Sequence, residues 1–93
     1  MGLLPLTEAA RRTEHIDPAV RGVLIDTVRT GTDAYRKGLR HGDVIVQANE
    51  QPTATPGDVA AAVAAARKAG RPAVFLLVNH AGRNAGVPVA LDK

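Results

Sequence analysis

The side chains that carry most protein catalysis are scarce in this chain. Its 93 residues include no cysteine, and no serine occurs anywhere in the sequence. The two commonest acyl-transfer nucleophiles are therefore missing, and thiolate metal ligands are missing with them. We expect no catalytic activity from the chain itself, so the sequence favours a binding module over an enzyme.

Histidines are the remaining candidates for metal chemistry. His15, His41 and His80 fall in three separate predicted loops or turns, and no two of them are four residues apart. Metal sites that can be recognised from sequence usually need closely spaced ligands on one element. The sequence therefore predicts no metal site and no cofactor, and surface histidines are the simplest interpretation.

Composition argues against two further classes of function. Twelve basic residues against nine acidic ones give a net charge of +3, but the basic residues are scattered, and only one Tyr and one Phe could stack on bases. We therefore expect no nucleic-acid binding. No segment approaches the length of a membrane span, and the opening MGLLPLTEAARR does not resemble a signal peptide. We expect no membrane insertion, no address within the chain as given, and one domain over residues 1–93.

The first half of the chain reads as alternating strands and short helices. An apolar stretch at 3–6 predicts a strand, and the sequence at 8–14 predicts a brief capped helix. The β-branched run at 22–28 predicts a second strand, followed by a small helix at 34–37. These elements are short, which is typical of small mixed domains.

Two glycines in the stretch GLRHGDVIVQANEQP, residues 38–52, predict backbone shape and no chemistry. Gly38 stands where a helix end needs a left-handed residue, and Leu39 is expected to enter the core. Gly42 and Asp43 predict a tight turn in which the carboxylate accepts from backbone N–H groups. A strand at 44–46 and a turn at 49–52 follow.

The second half contains the clearest helix signals. Thr55 is the expected cap, Pro56 the first helical residue, and Gly70 the residue just beyond the helix. Strands are predicted at 72–79 and 85–91, joined by a turn into a hairpin. Pro88 lies inside the second of these strands, so that strand is expected either at an edge or with a break in its pairing.

The order of these elements carries a family resemblance. Gly38-Leu39, Gly42-Asp43-Val44-Ile45 and Asn49, at this spacing, resemble the motif of a PDZ domain in the permuted arrangement of bacterial HtrA/Do-type serine proteases. The resemblance covers nearly the whole chain and is strongest to the second, C-terminal PDZ domain of that family. It implies an α+β fold, a partly open five- to six-stranded β-barrel or sandwich capped by one long helix and one or two short ones.

The resemblance also implies a binding site. PDZ domains add a C-terminal or extended peptide as a strand between a sheet edge and the long helix. The implied peptide-binding residues are those of the N-terminal strand and of one helix face: Met1, Gly2, Leu3, Leu4, Val59, Val63 and Ala66. In the alternative interpretation, Val59 and Val63 point into the core and alanines line the groove. Met1-Gly2-Leu3 is either a shortened form of the family's carboxylate-binding loop, or that loop lies upstream.

The implied partners are peptides or unfolded protein termini, or neighbouring domains of the same protease. The implied location of the parent protein is the periplasm or cell envelope. In that family the second PDZ domain tends to assist oligomer assembly. Two alternatives stay open: a purely structural assembly domain, and a PDZ module of another envelope protease or secretion component.

Overall fold

The computed structural model describes residues 1–91 and has six strands and three helices in an α+β arrangement. The strands are β1 (Gly2–Pro5), β2 (Val23–Thr27), β3 (Val44–Ala48), β4 (Gln51–Pro52), β5 (Ala73–His80) and β6 (Arg83–Ala90). The helices are α1 (Glu8–Glu14), α2 (Asp33–Arg36) and α3 (Pro56–Lys68). The predicted fold class, strand number and helix lengths are confirmed.

All strand pairs are antiparallel and form one open sheet. The order across the sheet is β1-β2-β3-β5-β6, and the short β4 pairs with β3 beside this path. This order leaves β1 and β6 at the two ends of the path. Pro88 lies in β6, and of the two predicted possibilities the structure shows the edge strand, since pairing with β5 continues through Pro88.

β4 is an addition to the predicted elements. The sequence suggested one turn over 49–52, but only Asn49 and Glu50 form the loop, and Gln51 and Pro52 pair with β3. Both loop residues have positive φ, 51° and 66°. A two-residue hairpin loop with two positive φ values matches the twist of the flanking strands, which explains how a strand can return immediately.

α3 begins and ends where its sequence signals predict. The Thr55 hydroxyl accepts from the Asp58 N–H, while the Asp58 carboxylate accepts from the Ala54 and Thr55 N–H groups. This reciprocal capping box satisfies the Asp58 N–H in the first turn of the helix and the Thr55 N–H at its cap. The same two N–H groups, Ala54 first, hold the pKa of Asp58 below its usual value.

Gly38 ends α2 in the left-handed conformation that the sequence predicts. Its φ is +96°, and its N–H donates to the Tyr35 carbonyl at 3.1 Å. The Leu39 N–H donates to the Ala34 carbonyl, also at 3.1 Å, which completes a Schellman motif. The turn directs Leu39 into the core, where it is buried, as predicted.

The core is drawn from three strands and closed by the helices. Its largest fully buried side chains come from β2, β3 and β5 and are Val23, Ile25, Val44, Ile45 and Leu76. Val59 of α3 joins the same cluster, whereas α1 contributes no buried residue. Within residues 1–91, no helix is long and apolar enough to cross a membrane.

Candidate functional site

β1 offers a short open edge. It pairs with β2 on one side and ends the strand order of the sheet on the other. Leu3 packs against the core from this strand, while the next side chain, Leu4, is 44% exposed. An edge strand presents unpaired main-chain groups that can pair with another chain. β1 is therefore one candidate surface for strand addition.

The hydrogen bonds of β2 identify which groups of β1 are open. Ile25 directs its N–H to Asp43 O at 2.8 Å and accepts from the Gly42 N–H at 3.0 Å, both on the β3 side. Successive residues of a strand direct their main-chain groups to opposite sides, so Leu24 turns its groups toward β1. Leu24 pairs with Leu4. The main-chain groups of Leu3 therefore face away from β2, toward the open edge.

α3 stands beside this edge, and its apolar stripe divides between core and surface. The helix contacts both β1 and β5. Val59 and Ala66 are 3% and 2% exposed, so both lie in the interior. Val63 is half-buried and packs on the margin of the core. The i, i+4, i+7 stripe thus brings only Val63 near the surface.

The rotation of α3 places Val63 on the β1 side. Ala62 and Ala65 lie on the other flank, where they line a cavity with Asn49, whose amide donates to the Ala62 carbonyl at 3.4 Å. Residues one apart on a helix differ by about 100° around its axis, so Ala62 and Val63 lie on opposite flanks of the buried line. Val63 therefore faces the gap between α3 and β1.

The N-terminal end of β1 has an internal hydrogen bond. The Gly2 N–H donates to Thr27 Oγ1 at 3.0 Å, and the pairing register of β1 shifts between Gly2 and Leu3. A Cβ at Gly2 would overlap the Thr27 hydroxyl, so a larger residue there would require the Thr27 side chain to move and would cost the hydrogen bond. Met1 is largely exposed. In this arrangement the Gly2 N–H already has a partner, and a ligand carboxylate would have to displace Thr27.

The Gly42-Asp43 turn behaves as scaffold. Asp43 is buried, and its Oδ2 accepts from the Arg40 N–H at 3.1 Å, as the sequence suggested for this carboxylate. Its other oxygen pairs with Nδ1 of His80, at the end of β5. No local pattern predicts this second contact, because Asp43 and His80 are 37 positions apart in the chain.

The three histidines converge on one end of the molecule, although the sequence places them in separate segments. A cleft between α1 and the β5–β6 turn is lined by Glu14 and His15 together with residues flanking His80. His41 reaches the same Glu14. Within the described part of the chain, however, no group of three His, Cys, Asp or Glu side chains could hold a metal ion.

A second surface lies on the far flank of α3. There a cavity of about 530 Å³ is lined by Asn49, Ala65, Ala69, Arg71 and Phe75, among others. Phe75 is 45% exposed and covers Gly86 on the neighbouring strand. An exposed aromatic beside a cavity was not predicted, since nothing in the local sequence distinguishes the outer face of β5 from its inner face.

Comparison with known proteins decides the family. A family model described as the PDZ domain matches residues 24–77 of this chain. The chain belongs to the PDZ family. The PDZ domain is a peptide- and protein-recognition module, and the predicted assignment to a binding module rather than an enzyme is confirmed by this membership.

Relatives and a solved structure agree with this assignment. A "Probable periplasmic serine endoprotease DegP-like" of Brucella suis biovar 1 (strain 1330) is 41% identical over 71 residues, which cover 74% of this PDZ domain and 14% of the relative. "Magnetosome formation protease MamE" of Magnetospirillum gryphiswaldense is 40% identical over 62 residues, 67% of this chain and 8% of that protein. The predicted relation to HtrA/Do-type proteases is confirmed, and this PDZ domain spans about one-seventh of the DegP-like relative's length.

A solved PDZ domain with a bound ligand has the same fold. The crystal structure of the HtrA3 PDZ domain bound to a phage-derived ligand, FGRWV, superposes with a TM-score of 0.76 at 18% sequence identity. The match covers 97% of this chain and 80% of that one. At this identity the likeness establishes the fold, and that fold is the one the sequence predicted.

Proposed function

We propose that this PDZ domain captures an extended peptide by strand addition between β1 and α3. The observation that carries the proposal is the open edge of β1, where the main-chain groups of Leu3 face away from β2 beside the apolar flank of α3. Main-chain hydrogen bonds would supply affinity, and the apolar side chains would select the ligand. The proposed peptide-binding residues are Met1, Gly2, Leu3, Leu4, Val59, Val63 and Ala66.

These residues would contribute unequally. Val63 is half-buried at the mouth of the gap, so its side chain can contact a ligand directly. Val59 and Ala66 are interior and would form the floor that supports Val63 and Leu3. The HtrA3 domain's ligand ends in valine, which supports an apolar last residue for the peptide here. With few residues buried, we expect dissociation constants in roughly the micromolar to millimolar range.

The parent protein would be an HtrA/Do-type serine protease of the periplasm or cell envelope. The names of the DegP-like relatives support this location and class. Residues 1–93 would act as one PDZ-like unit of that protein, binding peptides or unfolded protein termini. Such a unit would present polypeptide to a protease domain elsewhere in the parent chain.

A second candidate function is attachment to a neighbouring domain or subunit. The exposed Phe75 and the cavity beside it favour this role, because they combine an exposed aromatic ring with polar side chains such as Glu50 and Arg71 on the flank of α3 that faces away from β1. Contact through this surface would leave the β1 edge free. The two functions are therefore compatible in one domain.

Peptide titration followed by backbone amide NMR tests the main proposal. A pentapeptide that ends in valine should shift the amide signals of Gly2 to Leu4 together with those of Val59, Val63 and Ala66. Val63→Glu should abolish the shifts, because it places a charge in an apolar pocket. Ala64→Glu is the matched control, since Ala64 is exposed on the outer side of α3.

The outcomes separate the forms of the proposal. If no apolar-ended peptide moves these signals at any accessible concentration, peptide capture is wrong and the attachment role takes its place. Amidation of the peptide C-terminus then tests whether the terminal carboxylate contributes to binding. Undiminished binding after amidation would mean that the Gly2 N–H keeps its hydrogen bond to Thr27. The groove would then bind the extended peptide without recognising its terminal carboxylate.

A further inference from the structure

His41 joins three segments of the fold. It lies in the turn between α2 and β3, and its Nδ1 is 2.7 Å from the Asp26 main-chain carbonyl at the end of β2. Its Nε2 is 2.9 Å from Glu14 Oε2 in the last turn of α1. The Asp26 carboxylate is also near, at 3.7 Å from Nδ1.

Both ring nitrogens of His41 face groups that can only accept. A main-chain carbonyl and an ionised carboxylate have no proton to donate, so each contact needs a proton on the histidine nitrogen. Neutral imidazole carries one proton and can make only one of the two hydrogen bonds. Both hydrogen bonds of His41 can therefore form at the same time only when the ring is doubly protonated and positively charged.

α1 depends on few other contacts with the body of the domain. It has no buried residue. Its other side-chain hydrogen bonds are to nearby residues of the chain, such as those from the Arg11 guanidinium to the Asp17 and Pro18 carbonyls. The Glu14–His41 pair is thus the contact that reaches from α1 across to the α2–β3 turn. Only Leu6 and Thr7 separate α1 from β1, so a displacement of α1 acts on the open edge strand.

We propose that His41 is a pH-operated clasp, which holds the C-terminal end of α1 against the α2–β3 turn when protonated and releases it when neutral. The clasp itself does not depend on the proposed peptide binding. Its consequence for ligands, through β1, does rest on that proposed function.

The charged groups around His41 favour its protonated form in the folded protein. From α1 and β2 it faces the carboxylates of Glu14 and Asp26. Within its own turn, Asp43 is engaged by His80, and the Arg40 guanidinium is turned away onto the Tyr35 ring, 3.6 Å from its centroid. Among residues 1–91, no cation contributes to the pKa of His41, and hydrogen bonding to the Asp26 carbonyl and then to Glu14 raises this pKa above its ordinary value of 6.5.

The raised pKa of His41 determines how the attachment of α1 should change with pH. A histidine whose pKa is raised by folding stabilises the folded arrangement fully below its unfolded pKa, and this stabilisation is lost as the pH rises through the folded value. α1 should therefore be held in acid and loosened in mild alkali. For an exposed ion pair we expect roughly a two- to fivefold change in local opening.

Hydrogen exchange of the α1 amides tests the clasp. Protection factors, which divide out the intrinsic pH dependence of exchange, should fall between about pH 5.5 and about pH 8.5, on either side of the histidine range. Amides of β3 are the internal reference and should not change. His41→Gln should show the low α1 protection already in acid, because glutamine cannot hold both partners.

Glu14→Gln gives the decisive contrast. Its amide can donate to the neutral ring nitrogen or accept from the protonated one, so α1 should stay protected at both pH values. His80→Gln is the matched control and should leave the pH dependence of α1 unchanged. The proposal is overturned if wild-type α1 protection is independent of pH, if Glu14→Gln loosens like the wild type, or if His80→Gln and not His41→Gln removes the dependence.

Discussion

Replacing Gly38 measures how far a single backbone conformation stabilises this domain. Its φ of +96° lies in the region that side chains with a Cβ avoid. A Cβ built at Gly38 meets no atom within 4 Å, so a substitution there adds no steric contact with the rest of the protein. Any loss of stability must come from the local backbone.

The expected magnitude follows from that separation. A left-handed conformation costs an L-residue about 1 to 2 kcal/mol, and Ala recovers about 0.4 to 1 kcal/mol by restricting the unfolded chain. The difference between these two ranges runs from about 0 to about 1.6 kcal/mol, so Gly38→Ala should destabilise by about 0.8 kcal/mol, the middle of that range. Gly38→Val should exceed about 1 kcal/mol, because β-branching adds strain at the same position. For a domain of this size each kcal/mol lowers the melting midpoint by about 4 to 8 °C.

Denaturant and thermal unfolding of matched glycine variants would check this reasoning. Gly57 lies in the first turn of α3, where its φ is not positive and a Cβ would make an ordinary contact at 3.6 Å with Thr55 Oγ1. Gly57→Ala should therefore be neutral or stabilising. If Gly38→Ala and Gly57→Ala move the midpoint alike, or if Gly38→Val leaves it unchanged, the backbone argument is refuted.

Two further predictions concern the β3–β4 loop and the N-terminal cap of α3. Glu50 has a φ of 66° in the β3–β4 loop, so Glu50→Gly should raise the free energy of unfolding by about 1 kcal/mol in denaturant titrations, and a decrease would contradict the loop geometry. Asp58 has a lowered pKa, so its cap contributes stability above the ordinary value of 3.8 that is lost as the pH falls through the folded value. The stability difference between wild type and Asp58→Asn should therefore shrink in acid, and a difference that is constant with pH would count against the cap.

Local signals account for most of the fold that the sequence predicted. The start of α3 is specified within four residues by Thr55, Pro56 and Asp58, and the end of α2 is specified by Gly38. Those signals act through neighbours in the chain, so they can be read without knowing the topology. β4 escaped prediction because its two residues include a proline and have almost no strand pattern of their own.

The candidate site depends on information that is not local. A stripe of apolar residues at i, i+4 and i+7 looks the same whether it enters the core or lines a groove. Only the rotation of α3 against the sheet separates interior Val59 and Ala66 from Val63 at the margin. The pairing of Asp43 with His80 likewise joins residues 37 positions apart, beyond the reach of a motif.

The two edges of the sheet differ in a way that favours strand addition at β1. On β6, the Ala90 N–H donates to Asp33 Oδ2 at 2.8 Å, the Lys37 ammonium donates to the Pro88 carbonyl at 2.6 Å, and Pro88 has no N–H at all. The Ala90 N–H, followed by Lys37, holds the pKa of Asp33 below its usual value. Charged side chains and proline are the devices by which natural sheets prevent pairing at an edge. Within the described residues, no charged side chain or proline blocks the outward main-chain groups of Leu3. The neighbour of β1 on that side is the apolar flank of α3. An incoming strand would therefore meet unpaired main-chain groups at β1 and occupied ones along the C-terminal part of β6.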